Sequence, residues 1–238
     1  MNEPAFVLHT RPWRETSLIA ELLTPGHGRV GVVARGARRG RKGGAGSLQP
    51  FALMQVAWRG RGELRTLVSA ETEQALPLTG ERLFAGLYLN ELLLRLLQRE
   101  DSQQEIFSDY AATVARLAAL PAGDEAVAME AALRRFELRL LVALGYGFPL
   151  DYDIHGAAID PARDYELLPD AGLAPVAQGV REGGRTDGAS ALAGRHLLAL
   201  AADRLTEREV LLTAKRLTRA ALASHIGPAP LRSRELFR

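Results

Sequence analysis

The chain has 238 residues, of which 47% are hydrophobic, so it can bury a real core in one large or two small domains and is not globally disordered. It has no cysteine, which excludes disulfides, thiolate metal sites and a cysteine nucleophile. The net charge is +2. No apolar run is long enough to span a bilayer and residues 1–13 show no secretion signal, so we expect a cytoplasmic protein without a membrane partner.

Short apolar segments separated by turn residues predict five strands in the first third of the chain. They read AFVLH, SLIAELL, RVGVVAR, FALMQVAW and ELRTLVSAETEQA. RPW bounds the first segment, Pro25-Gly26 predicts a hairpin between the second and the third, and a long loop over residues 36–48 precedes the fourth. Because closing a sheet removes its exposed edges, this pattern predicts a five-stranded β-barrel of the OB-fold type over residues 1–78.

From residue 79 the apolar residues follow a helical period, which predicts an α-helical domain over residues 79–238 and hence an α+β protein. Thr79 and Asp124 are candidate N-caps of the first and third helices. Pro121 ends the second helix, and Gly145 follows the third at the position of a C′ glycine.

The helical pattern is interrupted once. Residues 146–189 are rich in Gly, Pro and Asp, which predicts an irregular insertion with a small hairpin around residues 170–172. Helical periodicity returns over residues 190–203 and 207–226. The insertion therefore separates the third predicted helix from the fourth.

Positive charge is concentrated at the two ends of the sequence. Residues 1–75 contain 11 Lys or Arg and 6 Asp or Glu, which gives +5. Residues 76–180 contain 8 and 16, which gives −8, and residues 181–238 contain 11 and 6, which gives +5 again. This pattern indicates that both ends face a polyanion while the middle does not; ordinary variation in surface composition is the alternative.

The basic residues of the predicted barrel lie near its loops and indicate a nucleic-acid ligand. Side chains that neutralise phosphates release condensed counterions, which gives affinity without base recognition. Trp13, Phe51 and Trp58 lie beside these cations and could stack on unpaired bases, although a place in the barrel core is the alternative for Phe51 and Trp58. The candidate DNA-binding residues of the barrel are Arg11, Trp13, Arg14, Arg35, Arg38, Arg39, Arg41, Lys42, Arg59, Arg61 and Arg65.

A second basic group lies in the last long predicted helix, VLLTAKRLTRAALASHIG. Lys215 and Arg219 are four residues apart, so they share a face opposite Leu212, and Arg216 lies beside Lys215. We include these three basic residues in the candidate DNA-binding surface. A solvated helix face is the alternative for them.

The motif ALRRFELRLL contains two arginines beside an apolar stripe. Arg134 or Arg135 would lie at the edge of that stripe, where an arginine can hold a peptide carboxylate with two hydrogen bonds while apolar side chains fill the groove. The alternative is an ion pair on the helix surface with Glu130 or Glu137.

The sequence does not contain the common motifs of enzymes, nucleotide sites or metal sites. GHGRVG has the spacing of a dinucleotide loop but leads into a predicted strand instead of a helix, so we interpret it as a turn. There is no P-loop, no G-x-S-x-G motif and no histidine pair at i, i+4. We therefore predict no enzymatic activity, metal or cofactor. A nuclease that uses Asp151 and Asp153 with a divalent ion is the alternative, and His155 alternates with these two carboxylates.

Several motifs, in order along the chain, resemble the RecO family of bacterial recombination mediators. They are FVLHTRPWRETSLIAELLT, GRVGVVARGAR, LQPF, LNELLLRLL, ALRRFELRLLVALGYG and PLRSRELFR. The resemblance extends over nearly the whole chain and implies an OB barrel followed by a helical domain. It also implies binding to single- and double-stranded DNA, strand annealing, binding to RecR, and help in loading RecA onto strands coated by single-strand-binding protein (SSB). The expected location is the cytoplasm, on the nucleoid during repair.

The resemblance also bears on the helical domain. Members of the RecO family hold the C-terminal tail of SSB in an apolar groove, and Arg134 aligns with a family arginine associated with that tail, so Arg134 and Arg135 are the candidate SSB-tail site. Many members bind zinc through four cysteines in the insertion; residues 146–189 contain none, so we predict a hairpin without zinc. Because phosphate contacts do not by themselves select DNA, an RNA-binding or ribosome-associated barrel protein is the alternative function.

Overall fold

A computed structural model describes residues 2–37, 48–121, 125–176 and 191–237 of the chain. The chain forms two compact units. The first unit consists of Met1–Leu120 together with Ala229–Arg238, and the second unit consists of Pro121–Pro228. Each unit has its own secondary structure and its own packed interior, and each is described by itself.

The first unit contains a barrel and two helices. Its strands are β1 (Glu3–Trp13), β2 (Ser17–Thr24), β3 (Gly28–Ala34), β4 (Ala52–Arg59) and β5 (Leu64–Ala75). Its helices are α1 (Gly80–Leu96) and α2 (Gln104–Ala119), and a 3₁₀ helix covers Arg232–Phe237. Among the described residues, these five strands close in the order β1-β2-β3-β5-β4, so the predicted five-stranded barrel is confirmed.

The pairing of the strands fixes their directions around the barrel. β3 and β5 run parallel to each other, with Gly31 opposite Leu64, and the other neighbouring pairs are antiparallel. The predicted hairpin over Pro25-Gly26 is confirmed, since Thr24 pairs with Gly28 across it. β1 is longer than the sequence predicted, because it continues through Pro12 and ends with Trp13 opposite Ser17.

Alternate residues of the strands build the interior of the barrel. In β4 the side chains of Ala52, Met54 and Val56 are buried, while those between them are partly exposed. Val30 and Val32 of β3 are also buried in the interior of the barrel. Because full burial of a valine or methionine side chain stabilises the fold by about 1.5–3 kcal/mol, this alternation fixes the register of each strand.

The two helices of the first unit cover the outer face of β1. The Phe6 ring lies 5.1 Å from the ring of Tyr110 in an edge-on contact. The Tyr110 hydroxyl donates to Asn90 Oδ1 at 2.6 Å, and Asn90 Nδ2 donates to the carbonyl of Leu8 at 3.0 Å, so these buried polar groups are satisfied. The first unit therefore extends past the predicted boundary at residue 78. At the start of α1, Thr79 occupies the N-cap position, but its side chain makes no capping hydrogen bond.

The second unit packs helices against a small sheet. Its helices are α3 (Glu125–Ala143), α4 (Gly194–Ala201) and α5 (Arg208–Ala223), and its strands are β6 (Asp164–Leu168), β7 (Gly172–Pro175) and β8 (Leu192–Ala193). The strands lie in the order β7-β6-β8. Tyr165, Leu173, Leu197 and Leu217 are among the buried residues of its core.

Two predictions about the second unit are confirmed by its turns. Gly145 has φ +81° and ends α3: its N–H donates to Val142 O at 3.0 Å, and the N–H of Tyr146 donates to Leu141 O at 2.8 Å. These two bonds are those of a Schellman motif. The predicted hairpin joins β6 to β7, with Asp170 in the left-handed region at φ +58°. The candidate cap Asp124 and residues 177–189 of the insertion lie outside the described residues.

Candidate nucleic-acid interface

An exposed tryptophan flanked by two arginines marks one end of the barrel. Trp13 is the last residue of β1 and is 38% exposed. The guanidinium carbon of Arg11 lies 5.9 Å from the centre of the indole ring, and that of Arg14 lies 6.0 Å from it. Arg14 begins the turn to β2 with φ +53°. Guanidinium groups at this distance are attracted to the ring, so they hold positive charge beside an accessible aromatic face.

Arg35 belongs to the same end of the barrel. It is exposed and follows β3 directly, and the last residue of β3, Ala34, pairs with Leu18 next to the β1–β2 turn. We call this end of the barrel, formed by the β1–β2 turn and the end of β3, the Trp13 end. No ion pair within the described residues involves Arg11, Arg14 or Arg35. The four predicted residues Arg38, Arg39, Arg41 and Lys42 lie outside the described residues.

The predicted cations of β4 and β5 lie at the opposite end. β4 runs antiparallel to β1, with Glu3 opposite Val56, so the exposed Arg59 at the end of β4 lies where β1 begins. Arg61 is exposed in the turn that follows. We call this end, formed by the β2–β3 and β4–β5 turns, the His27 end. The described candidate cations of the barrel therefore divide between its two ends.

Arg65 and two of the candidate stacking residues have structural contacts. The side chain of Arg65 is 13% exposed and donates to Glu100 at 2.9 Å, and its guanidinium lies 5.7 Å from the centre of the Trp58 ring. Trp58 is partly buried against the barrel core, and its ring meets the His27 ring edge-on at 5.4 Å. Phe51 is only 4% exposed. The structure thus supports the core alternative for Phe51 and Trp58, and the candidate DNA-binding residue Arg65 forms an ion pair with Glu100.

A compensated charge network at the His27 end escaped the sequence analysis. Glu21 on β2 forms ion pairs with Arg29 on β3 and with Arg99 after α1. Burial lowers the pKa of Arg29; the charge of Glu21 opposes this shift, and the charge of Arg99 adds to it. Glu3 also binds His27, with Oε2 2.7 Å from Nδ1. The density of acids among these cations makes the His27 end less favourable for a polyanion than the Trp13 end.

The three predicted basic residues of α5 are in different environments. Lys215 lies 3.4 Å from Glu130 on α3 and is 39% exposed, so it is an ion-pair partner within the second unit. Arg216 and Arg219 are exposed on α5. Leu217 and Thr218 between them are buried, which shows that the basic strip is the outer face of an amphipathic helix.

Arg134 and Arg135 also differ from the predicted placement. Arg134 is 5% exposed, and its Nη2 lies 2.9 Å from Oε1 of Glu137, which is fully buried. The expectation of Arg134 at the open edge of an apolar groove is therefore corrected, because Glu137 and the packing of α3 on α5 enclose it. Its Nε is buried without a hydrogen-bond partner among the described residues. Arg135 is more accessible and pairs with Asp203, whose side chain is 64% exposed.

Asp153, one of the two candidate nuclease carboxylates, stabilises a turn. Asp153 Oδ1 accepts hydrogen bonds from the backbone N–H groups of His155 at 2.8 Å and Ala157 at 3.0 Å. Such side-chain-to-backbone bonds are typical of an Asx turn. The described part of the chain contains no group of three or more His, Asp or Glu side chains placed to hold a metal ion. Each helix among the described residues is too short or too polar to cross a membrane.

Comparison with known proteins matches nearly the whole chain to one protein family. Residues 1–76 match the family model of the recombination protein O N terminal domain, and residues 77–235 match that of the C terminal domain. The chain is 48% identical to the DNA repair protein RecO of Pseudomonas paraeruginosa, with 99% of this chain and 94% of that protein covered. It is 47% identical to the DNA repair protein RecO of Methylococcus capsulatus, with 98% and 91% covered.

Proposed function

Since the chain belongs to the RecO family of DNA repair proteins, a family of mediators and not of enzymes, we propose that it binds single- and double-stranded DNA and anneals complementary strands. With RecR as a partner, it would help to load RecA onto single strands coated by SSB. The observation that carries the DNA-binding part of this proposal is the Trp13 end of the barrel, where two guanidinium groups lie 5.9 and 6.0 Å from the centre of an exposed indole and Arg35 is exposed at the same end.

This arrangement suits a ligand that is recognised without regard to its sequence. Cations contact phosphates, which every nucleotide has, and an aromatic face stacks on any unpaired base. Annealing requires both properties, because two strands must be neutralised together while their base edges stay available for pairing. Trp13 with Arg11 and Arg14 supplies one stacking face and two positive charges within four consecutive residues.

The test compares two double charge reversals that change the net charge equally. Arg11→Glu with Arg14→Glu acts at the Trp13 end, and Arg59→Glu with Arg61→Glu acts at the His27 end. We expect the first pair to weaken binding to a single-stranded oligonucleotide, to reduce the slope of log K against log salt, and to slow annealing. We expect the second pair to have a much smaller effect.

Two results would contradict this assignment. Equal losses in both double variants would mean that DNA contacts both ends of the barrel, and unchanged binding in the first variant would remove the Trp13 end from the site. Competition between DNA and RNA oligonucleotides of one sequence tests the alternative of an RNA-binding protein, since tighter binding to RNA would favour that function.

The SSB-tail site is proposed for the second unit, at Arg134 and Arg135. The contacts of the two arginines suggest different roles. Arg135 is accessible and its partner Asp203 is exposed, so it is free to exchange this acid for a tail carboxylate. Arg134 is held by Glu137 and would support the surface from beneath. Arg135→Ala is expected to weaken binding of an SSB C-terminal peptide without changing affinity for naked DNA; loss of both activities would indicate a folding defect instead.

A further inference from the structure

The second unit contains a cavity that none of the candidate DNA-binding or SSB-tail residues lines. Its volume is about 350 Å³, and three parts of the chain line it. These are the residues after α3, the β6–β7 turn, and the end of α5. The larger side chains of the wall include those of Tyr146, Phe148, Leu167, Leu168, Asp170 and His225. Ligand pockets have volumes of about 300–1,000 Å³, so this cavity has room for one amino-acid side chain and not for a large cofactor.

The cavity has a negative electrostatic character. α3 and α5 both end at it, and the aligned peptide dipoles of a helix leave the equivalent of about half a negative charge at its C-terminus. Neither helix has a basic residue in its last turn. Asp170 adds a carboxylate, and the described residues of the wall include no Lys or Arg. A positively charged group is therefore the ligand that the wall favours.

The aromatic residues of the wall suit a planar cation in particular. The rings of Tyr146 and His225 stack with their centres 3.6 Å apart and their planes inclined by 11°. Tyr146 is 46% exposed although it lines the cavity, so its ring is accessible to a ligand. Guanidinium groups stack on such rings, and the aliphatic part of an arginine packs on apolar side chains such as Leu167 and Leu168.

We propose that this cavity binds an arginine side chain from a basic segment of a partner protein. The guanidinium group contacts Tyr146 and pairs with Asp170, and the carbon chain of the arginine lies along Leu167 and Leu168. The charge of the wall selects this occupant over an acidic peptide, which would meet two negative helix ends and a carboxylate. The proposal is thus independent of the DNA surface and of the SSB-tail site.

The test uses the full chain, labelled with ¹⁵N, and the peptide Gly-Arg-Gly-Arg-Gly as the probe. We expect amide shifts concentrated at Tyr146, Asp170 and His225, and an affinity that falls with salt. Asp170→Asn should weaken binding about fivefold, as the loss of one accessible ion pair allows. Asparagine tolerates the left-handed backbone at this position, so the turn should keep its shape. Asp164→Asn makes the same charge change on the same hairpin outside the cavity and should leave binding unchanged.

Three results would overturn the proposal. They are shifts that avoid the cavity, equal losses in the two aspartate variants, and binding of the peptide Gly-Glu-Gly-Glu-Gly at the same residues. Affinity for single-stranded DNA is measured on the same samples and should be the same in both variants. A failure of the arginine site therefore leaves the proposal for the barrel untouched, and a failure of the barrel proposal leaves the arginine site untouched.

Discussion

Arg134 and Glu137 form a buried ion pair on one face of α3, with Nη2 of the arginine 2.9 Å from Oε1 of the glutamate. Thr218 of α5 also donates to Glu137, so the pair connects the two helices. A charge in the protein interior is stable only while its partner is present. Arg134 is consequently a residue of the helix packing as well as a candidate for partner binding, and experiments on it have to separate the two roles.

Replacing Arg134 by alanine should destabilise the protein by about 3–5 kcal/mol, because it removes from the fully buried Glu137 the guanidinium group with which it forms an ion pair. Urea unfolding followed by circular dichroism measures this loss. Arg135→Ala is the matched control, since its partner Asp203 is exposed and the expected loss is about 0–1 kcal/mol. Similar losses in the two variants would show that the buried pair does not stabilise α3 against α5.

Trp13→Ala should weaken binding to single-stranded DNA by about 1–3 kcal/mol, the value of one stacked base. The side chain is exposed, so the melting temperature should change little. Trp13→Phe keeps an aromatic face and should retain most of the affinity. Fluorescence anisotropy of a labelled oligonucleotide measures the affinities of the parent protein and of the two variants. An alanine variant that binds as tightly as the parent would show that the indole does not contact bases.

Acid should release the segment that begins at Arg232. Burial alone would raise the pKa of Glu91, but the hydrogen bonds from Ser233 and Arg232 and the charge of Arg95 lower it below its ordinary value. The stabilisation from these contacts is therefore fully present above the ordinary carboxylate pKa and is lost as the pH falls through the lowered one. The protection factor of the Ser233 amide, which compares its hydrogen-exchange rate with that of an unfolded chain at the same pH, should therefore fall below that pH.

Glu91→Gln provides the control for this pH effect. The glutamine side chain at position 91 carries no charge at any pH. The Ser233 amide of the variant should therefore exchange faster than that of the parent at neutral pH, and the two proteins should exchange at similar rates in acid. The 3₁₀ helix should stay attached in the parent at neutral pH, because Ser233 N–H donates to Glu91 Oε2 at 2.8 Å and its hydroxyl donates to the same atom. A pH profile that is the same in both proteins would assign the transition to another group.

Gly86→Ala should destabilise the first unit by about 1–3 kcal/mol through overpacking. A Cβ atom on Gly86 would lie 2.6 Å from both Phe51 Cε1 and Leu78 Cδ1, closer than any carbon contact allows. In a Phe51→Leu background the same change should cost less, because the smaller side chain makes room. Thermal unfolding of the parent, the two single variants and the double variant gives the coupling free energy between positions 51 and 86. Additive effects would mean that Phe51 and Gly86 do not share this contact.

Local patterns predicted most of the fold. The alternation in FALMQVAW indicates β4 because every second residue faces the barrel core, and Gly145 indicates the end of α3 because it takes φ +81°. The predicted end of β1 was wrong, and the reason is physical. Pro12 pairs with Leu18 close to the end of the strand, where the loss of one backbone donor is tolerated, so RPW continues the strand instead of ending it.

The candidate site was harder to predict, because its geometry depends on pairings between distant segments. Composition identifies Arg11, Arg14 and Arg59 as basic residues near turns. Only the antiparallel pairing of β1 with β4 reveals that Arg59 lies at the other end of the barrel. In the same way, the burial of Arg134 depends on α5, since Thr218 meets Glu137 from 81 residues further along the chain.

The first unit is completed by a segment that comes after the second in the sequence, since Ala229–Arg238 belongs with Met1–Leu120. During translation, Pro121–Pro228 therefore leaves the ribosome before Glu91 can meet Ser233 and Arg232. Domains generally fold as units while the chain is made. The second unit can accordingly mature first, and the first unit acquires its last structural contacts only when synthesis has passed residue 233.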